Sequence, residues 1–327
     1  MNNLVSIIIP VFNVQDYLKD CLDSVCAQVY DNLEILLIDD GSTDSSGKIC
    51  DMYADADSRF RVVHQENAGA ANAKNSGLDL AQGAFIAFLD SDDWVEPEWI
   101  QHLLSKALQE NADVVECGFF NDYVSSSEAE HAYESLFSGE WETEEYLRSY
   151  PNTWTCALFC NKLFRASLVL NLRFHKERRC VDDEFFTYKA IGGANKVVRT
   201  DEKLYHYRHR QSSVTQMNNT LYQRTIDDID VLRERYCWVK KHYPSIATDY
   251  LQHDVNSLLY FASNFPFNEA AIKHFKKSAR FYLKESLLTF PDRLTVFYAC
   301  KAFFCFPKSS CVNEKIPDEV QRERYYK

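Results

Sequence analysis

Between residues 5 and 117 the chain alternates short apolar runs with helix-like segments, and no other feature constrains its fold as strongly. Residues 5–9 form a β-branched run closed by Pro10, residues 33–38, 84–89 and 112–117 repeat the pattern, and residues 59–64 read as a further short strand. Such runs lack the polar alternation of a half-exposed strand, so both of their faces must be covered. Residues 14–28 carry Tyr17, Cys21, Leu22 and Val25 on one helical stripe. Ser42 or Thr43 is expected to cap a helix reaching about residue 56, residues 70–81 read as a helix ended by Gly83, and Pro97 opens another reaching about residue 110. Apolar strands separated by helices of this length predict an α/β fold with a mostly parallel sheet.

In such sheets, ligands gather at the carboxyl ends of the strands. Two runs end there in acids: Asp39-Asp40-Gly41-Ser42, and Asp90-Ser91-Asp92-Asp93 before Trp94. Either group alone reads equally as a turn or a helix cap. Together, on one sheet edge, they can meet one ligand. The turn after the first strand, residues 11–16, has no glycine, and no Gly-Lys-Ser/Thr phosphate loop occurs. A bound diphosphate therefore needs another source of positive charge. Mg²⁺ or Mn²⁺ held by Asp90 and Asp92 would supply it, since these ions combine one or two carboxylates with phosphate oxygens.

The net charge of −12 argues against a nucleic-acid partner. The charge is uneven: residues 271–327 hold twelve Lys and Arg against six Asp and Glu, which leaves −18 elsewhere. The eleven Cys show no repeated spacing, and several lie in apolar runs, so they read as buried thiols in a reducing cytosol. No signal-peptide pattern opens the sequence and no run approaches a membrane span. Beyond residue 120 the pattern loosens. Residues 121–150 are polar and acidic, residues 182–184 put three acids at a helix start, and residues 196–200 and 203–207 read as two short strands. From about residue 221 the chain reads as helical, with Ile229, Leu232, Tyr236 and Val239 on one stripe.

Four segments in order carry a resemblance: Val5 to Asn13, Ile38-Asp39-Asp40-Gly41-Ser42-Thr43-Asp44, Asn67-Ala68-Gly69 with Asn75-Ser76-Gly77, and Phe88 to Asp93. The chain resembles the family 2 inverting glycosyltransferases with the GT-A fold, strongly over residues 4–120 and more weakly to about 215. The resemblance implies a GT-A Rossmann-like sandwich over residues 1–215, with a nucleotide-binding half to about 120 and an acceptor half from 121. Residues 216–327 would form a helical C-terminal extension.

It also implies roles. Pro10 and Phe12 would border a uracil pocket and Asp40 would accept a hydrogen bond from the base. Asn67, Lys74, Asp90 and Ser91 would contact the nucleotide-sugar. Asp92, with Asp90, would bind Mn²⁺ or Mg²⁺. Asp183 would be the general base and Asp182 its neighbour. The family commonly has Arg where this chain has Lys74, and Glu where it has Asp182. His206, Arg208 and His209 are candidates for the diphosphate or acceptor. The implied activity is transfer of a sugar from a nucleotide-sugar, a UDP-sugar first, to a glycan or lipid-linked hydroxyl in surface polysaccharide synthesis. Two other readings stay open: a nucleotidyltransferase, and a non-catalytic nucleotide-sugar-binding subunit. The basic, aromatic stretch 271–306 is expected to pack in the protein or to touch an anionic inner membrane face.

Overall fold

The computed structural model describes residues 3–123, 138–177, 181–209, 221–264 and 268–289. Nine strands occur among them: β1 (Val5–Val11), β2 (Leu33–Asp39), β3 (Phe60–His64), β4 (Phe85–Phe88), β5 (Trp94–Val95), β6 (Val114–Tyr123), β7 (Gly139–Glu142), β8 (Lys162–Arg165) and β9 (Lys196–His209). The described helices are α1 (Leu18–Cys26), α2 (Ser46–Ala56), α3 (Ala70–Leu80), α4 (Trp99–Gln109), α5 (Thr143–Ser149), α6 (Ala166–Val169), α7 (Asp182–Gly192), α8 (Leu221–His242), α9 (Ala247–Asn264) and α10 (Glu269–Thr289).

All nine strands share one sheet, ordered β3-β2-β1-β4-β8-β6-β9-β5, with β7 paired to β9. The section β3-β2-β1-β4 is wholly parallel. Its central strand aligns Ile8 with Leu36 on one side and Phe88 on the other, and all three are fully buried. The carboxyl ends of β1, β2 and β4 therefore lie on one edge. Beyond β4 the sheet is mixed: β8 runs antiparallel to β4 and β6, and β6 and β9 pair in parallel.

Three local expectations change. Helix α2 begins at Ser46, because Ser42 and Thr43 are engaged earlier: the Ser42 amide donates to Asp39 Oδ1 at 3.0 Å and the Thr43 amide to Asn13 Oδ1 at 2.8 Å. The two short strands predicted at 196–207 are one continuous strand, β9, whose extra residues near 200–202 are absorbed by a register shift opposite Glu116 and Gly118. Within the polar stretch 121–150, residues 139–149 form β7 and α5. Of the Cys, Cys21, Cys50, Cys117, Cys156 and Cys160 are buried, whereas Cys26 is half-buried and Cys237 exposed.

The chain divides into two compact units. One comprises Met1–Tyr146, Ala157–Glu177 and Asp182–Ser213; the other comprises Leu147–Cys156, Arg178–Val181 and Val214–Lys327. The second packs α8, α9 and α10 around an apolar core that includes Ile229, Leu232, Val255 and Phe275 and encloses a polar cluster. Arg235 Nη2 meets Asp254 Oδ1 at 3.1 Å, and the Tyr282 hydroxyl donates to Asp254 Oδ2 at 2.8 Å. With Asp254 fully buried, removing Arg235 would strand its charge. No helix among the described residues is long and apolar enough to cross a membrane. The apolar run 294–306 singled out in the sequence lies outside the described residues.

Candidate active site

The tip of β2 holds two buried carboxylates with different tasks. Asp39 receives the Ser42 amide and His64 Nδ1, the latter at 2.7 Å. Asp40, 2 % exposed, accepts from Gln65 Nε2 at 2.6 Å, the Ala68 amide at 3.0 Å and the Gly69 amide at 2.8 Å. A carboxylate offers about four lone-pair sites, so this leaves Asp40 room for one further donor. Gly41 turns the chain away at φ +73°, and a Cβ there would sit 2.9 Å from the Asn67 amide nitrogen. Asn67 itself is exposed beside this turn. At the tip of β1, Pro10 is partly exposed and the Phe12 ring is 46 % exposed, an aromatic face open to a planar ligand.

Helix α3 links this corner to the rest of the site. The amides of Ala68 and of its N-cap Gly69 bind Asp40, and Lys74 follows Gly69 about 7.5 Å further along, at 1.5 Å per residue. The helix lies close on β1: a Cβ at Gly77 would come within 2.3 Å of Ile8 Cγ2. Asn75 clamps the chain before α7, donating Nδ2 to the Phe174 carbonyl at 3.0 Å and accepting the Phe174 amide at 2.9 Å. Lys74 is 4 % exposed; its Nζ lies 2.6 Å from Asp182 Oδ2 and over the rings of Phe159 and Phe174 at 4.4 and 4.6 Å. Burial lowers its proton affinity, but Asp182, Asp90 and Asp183 outweigh this, and its pKa stands raised.

Asp182 and Asp183 open α7, where acids suit the positive end of the helix. Burial and the neighbouring Asp182 push the Asp183 carboxyl up to about 7, against the opposing pull of Lys74. Its Oδ1 accepts the Glu184 amide at 2.8 Å. The two acids are thereby differentiated: Asp182 is tied to a buried ammonium, while Asp183 exchanges its proton near neutrality.

The loop after β4 carries Asp90 and Asp92, both half-buried, with Ser91 buried between them. Asp93, 1 % exposed, faces inward: it accepts the Tyr205 hydroxyl at 2.6 Å and the Arg208 amide at 2.8 Å. The same Tyr205 oxygen accepts the Asp90 amide at 3.3 Å. Burial, then Asp92 and Asp90, raise the Asp93 pKa well above the carboxylate range. This crowding of negative charge is the setting a divalent cation relieves. Among the described residues, no three His, Cys, Asp or Glu side chains gather as a metal cluster. Two carboxylates are what Mg²⁺ or Mn²⁺ typically takes from a protein, with the remaining ligands from phosphate oxygens and water.

Arg208 is engaged within the protein. Its Nε donates to the Asp92 carbonyl at 2.8 Å, its Nη2 to Asp20 Oδ2 at 2.9 Å, and its guanidinium lies 4.4 Å from the Trp94 ring centre. His206 is sandwiched between Trp94 and Phe120, with Nδ1 on Asp122 and Nε2 on Glu96. His209 Nε2 meets Asn121 Oδ1 at 2.8 Å, and burial depresses its pKa to about 4. Sequence reasoning placed these three at the diphosphate or acceptor; the contacts above are those they make within the protein. It also missed Asp93, Tyr205 and Asn75 as the residues that position the carboxylates. Asn75 was in a quoted motif, but the partner that explains it lies at residue 174.

The site combines an α/β sheet edge, an Asp-x-Asp loop, a corner with an exposed aromatic ring and a buried carboxylate, and a separate carboxylate pair. The model of glycosyl transferase family 2 matches residues 6–172, and the chain belongs to that family. It is similar to the glycosyltransferase GlyA of Streptococcus pneumoniae serotype 4 (strain ATCC BAA-334 / TIGR4), with 32 % identity over 249 residues, 72 % of this chain and 34 % of GlyA. It is 43 % identical over 107 residues to TuaG of Bacillus subtilis (strain 168), whose name refers to teichuronic acid biosynthesis, over 32 % of this chain and 41 % of TuaG. The chain thus spans less than half the length of either relative. Among solved structures it resembles S. aureus TarS 1–349 in complex with UDP-GlcNAc, at TM-score 0.70 and 18 % identity over 91 % of this chain and 90 % of that one. It also resembles the mannosyltransferase PcManGT of Pyrobaculum calidifontis in complex with GDP-Man and Mn²⁺, at TM-score 0.51 and 13 % identity over 92 % of this chain and 86 % of that one. At these identities the structures share the fold, which is the GT-A type expected.

Proposed function

We propose that the chain is a metal-dependent, inverting glycosyltransferase that moves a sugar from a UDP-sugar to a hydroxyl group of a glycan or lipid-linked acceptor. The observation that carries the reading is the Asp183 carboxyl, poised at about 7 beside the Lys74–Asp182 pair. A base whose pKa lies near the working pH combines sufficient ionisation with sufficient proton affinity. The nucleotidyltransferase alternative expects a Gly-rich basic loop after β1, whereas residues 11–16 contain neither Gly nor a basic residue.

Phe12 and Pro10 border the uracil, Asp40 accepts its imide N–H at the remaining lone pair, and exposed Asn67 lines the same corner. Asp90, Ser91 and Asp92 meet the diphosphate, with Asp92 the direct ligand of Mn²⁺ or Mg²⁺ and Asp90 beside it. A cation bound there supplies positive charge for the leaving diphosphate. Asp183 takes the proton of the acceptor hydroxyl as its oxygen bonds to the anomeric carbon. The bond from that carbon to the diphosphate oxygen breaks, and its electron pair leaves with UDP. One in-line displacement inverts the anomeric configuration and needs no covalent sugar–enzyme species. Lys74 contributes by pairing with Asp182 and holding the α7 tip in place.

Support for UDP and for the cation comes from the neighbouring structures solved with UDP-GlcNAc and with Mn²⁺, and support for surface-polysaccharide synthesis from the relative named for teichuronic acid. On this reading residues 1–215 form the catalytic region, residues 216–327 are its helical extension, and the enzyme works at the cytoplasmic face of the membrane, with contact through residues 271–306. The test is a thermal-shift screen of nucleotide-sugars with and without Mn²⁺, followed by transfer assays on Asp183→Asn. Loss of transfer by a factor of about 10² or more with UDP-sugar binding retained supports the base assignment. Transfer at the wild-type rate would falsify it.

A further inference from the structure

Helix α10 packs one face into its helical unit through Ala271, Phe275, Ser278, Ala279, Tyr282 and Ser286, all buried. From Lys273 onward its opposite face is exposed and basic, with Glu269 the exposed acid one turn earlier at the helix start. Lys276, Lys277, Arg280 and Lys284 follow one another at helical spacing and are all exposed, with Lys273 one turn before them. The row ends on two exposed leucines, Leu287 at 47 % and Leu288 at 63 %. From Lys273 to Leu288, over about 24 Å of helix at 1.5 Å per residue, no exposed position carries an acid. The one acid in that span, Glu285, turns sideways to the Tyr236 hydroxyl and Lys240 Nζ. Lys240 and Glu285 thus offset each other at the border of the face. Arg280, Leu283, Lys284, Leu287 and Leu288 line a shallow concavity of about 360 Å³.

A row of five cations on a chain of net charge −12 is a segregated field, and two leucines beside it are apolar area that water does not favour. We propose that this face of α10 docks on an anionic phospholipid bilayer, the cations against headgroup phosphates and Leu287 and Leu288 entering the acyl boundary. The chemistry matches both halves of the face: headgroup phosphates accept charge-assisted hydrogen bonds from ammonium and guanidinium, and the interface accepts the leucines. A highly acidic soluble partner would answer the cations but not the leucines. Residues 290–327 of the chain itself carry seven Lys and Arg against five Asp and Glu, so they offer no net opposite charge. The proposal names the face and the lipid chemistry for the membrane contact proposed above, and it stands independently of the catalytic assignment.

The full chain is sedimented with vesicles of phosphatidylcholine alone and of phosphatidylcholine mixed with phosphatidylglycerol. Binding is expected only to the mixed vesicles and should weaken with added salt, which shortens electrostatic reach. Each basic residue near an anionic surface contributes roughly fivefold in partitioning, so Lys276→Gln with Lys277→Gln, and separately Arg280→Gln with Lys284→Gln, should each reduce binding about 25-fold. Leu287→Ser with Leu288→Ser should reduce it too, and more visibly at high salt. These side chains are exposed, so circular dichroism and the UDP-dependent thermal shift should match wild type in every variant. That control separates failure of this proposal from failure of the catalytic one. Equal binding to neutral vesicles overturns the proposal. So does full binding by both Gln pairs, which would move the contact elsewhere in the chain, or a self-association in light scattering that the Gln pairs abolish, which would make a second copy the occupant.

Discussion

Asp183→Asn is expected to stabilise the fold while abolishing transfer, and the size of the effect can be worked from the site. The Asp183 carboxyl has an ordinary value of 3.8 and is raised to about 7 by burial and by Asp182. Below about pH 4 it is protonated in both the folded and unfolded chain, so Asp and Asn are nearly equivalent. Between about pH 4 and 7 the unfolded chain releases this proton while the folded chain retains it, and the wild type loses stability relative to the variant. Above about pH 7 the gap stops growing, at about 4 kcal/mol. At about pH 5 it is about 1.6 kcal/mol by the same arithmetic. Asn keeps an oxygen able to accept the Glu184 amide. The assay is denaturant unfolding of both proteins at about pH 5 and pH 8, with transfer measured in parallel. A variant no more stable than wild type at the higher pH, or a gap that does not narrow toward the lower one, would refute the account of Asp183 as a carboxylate held against its preference.

Lys74→Met leaves Asp182 without its buried partner and should destabilise the fold by about 3–5 kcal/mol. It also removes the cation that holds the Asp183 pKa down, so in any folded fraction the rise of transfer with pH should move to higher pH. Gly77→Ala forces a methyl group against Ile8 Cγ2 and should cost about 1–3 kcal/mol by unfolding assay, with partial rescue by Ile8→Ala. Tyr205→Phe removes the hydroxyl that ties Asp93 to the Asp90 amide; Mn²⁺ binding in the presence of UDP, measured calorimetrically, should weaken by about tenfold, the low end for an outer support of metal ligands. An unchanged Mn²⁺ affinity would detach Tyr205 from the metal loop.

What was legible beforehand follows from local physics. β1, β2 and β4 were readable because strands buried on both faces must be apolar throughout. The acid groups were readable as sheet-edge features because each follows such a run directly. The expected cap at Ser42 or Thr43 went astray because those residues answer to Asn13, about thirty positions away. The break expected between residues 200 and 203 is instead a bulge, since the polar Asp201 and Glu202 are exposed and cost the ladder little.

By itself, then, the amino-acid order determined the alternation of strand and helix, the edge where ligands collect, and the residue types able to bind a cation and a base. Those properties depend on neighbours within a few positions. Tertiary structure alone decided which acids differ from one another. Asp93 turns inward to Tyr205, Asp182 is claimed by Lys74, and Asp183 is left to titrate near neutrality. A carboxyl group's proton affinity is set by burial and by charges a few ångströms away, and the chain brings those from positions about a hundred residues distant.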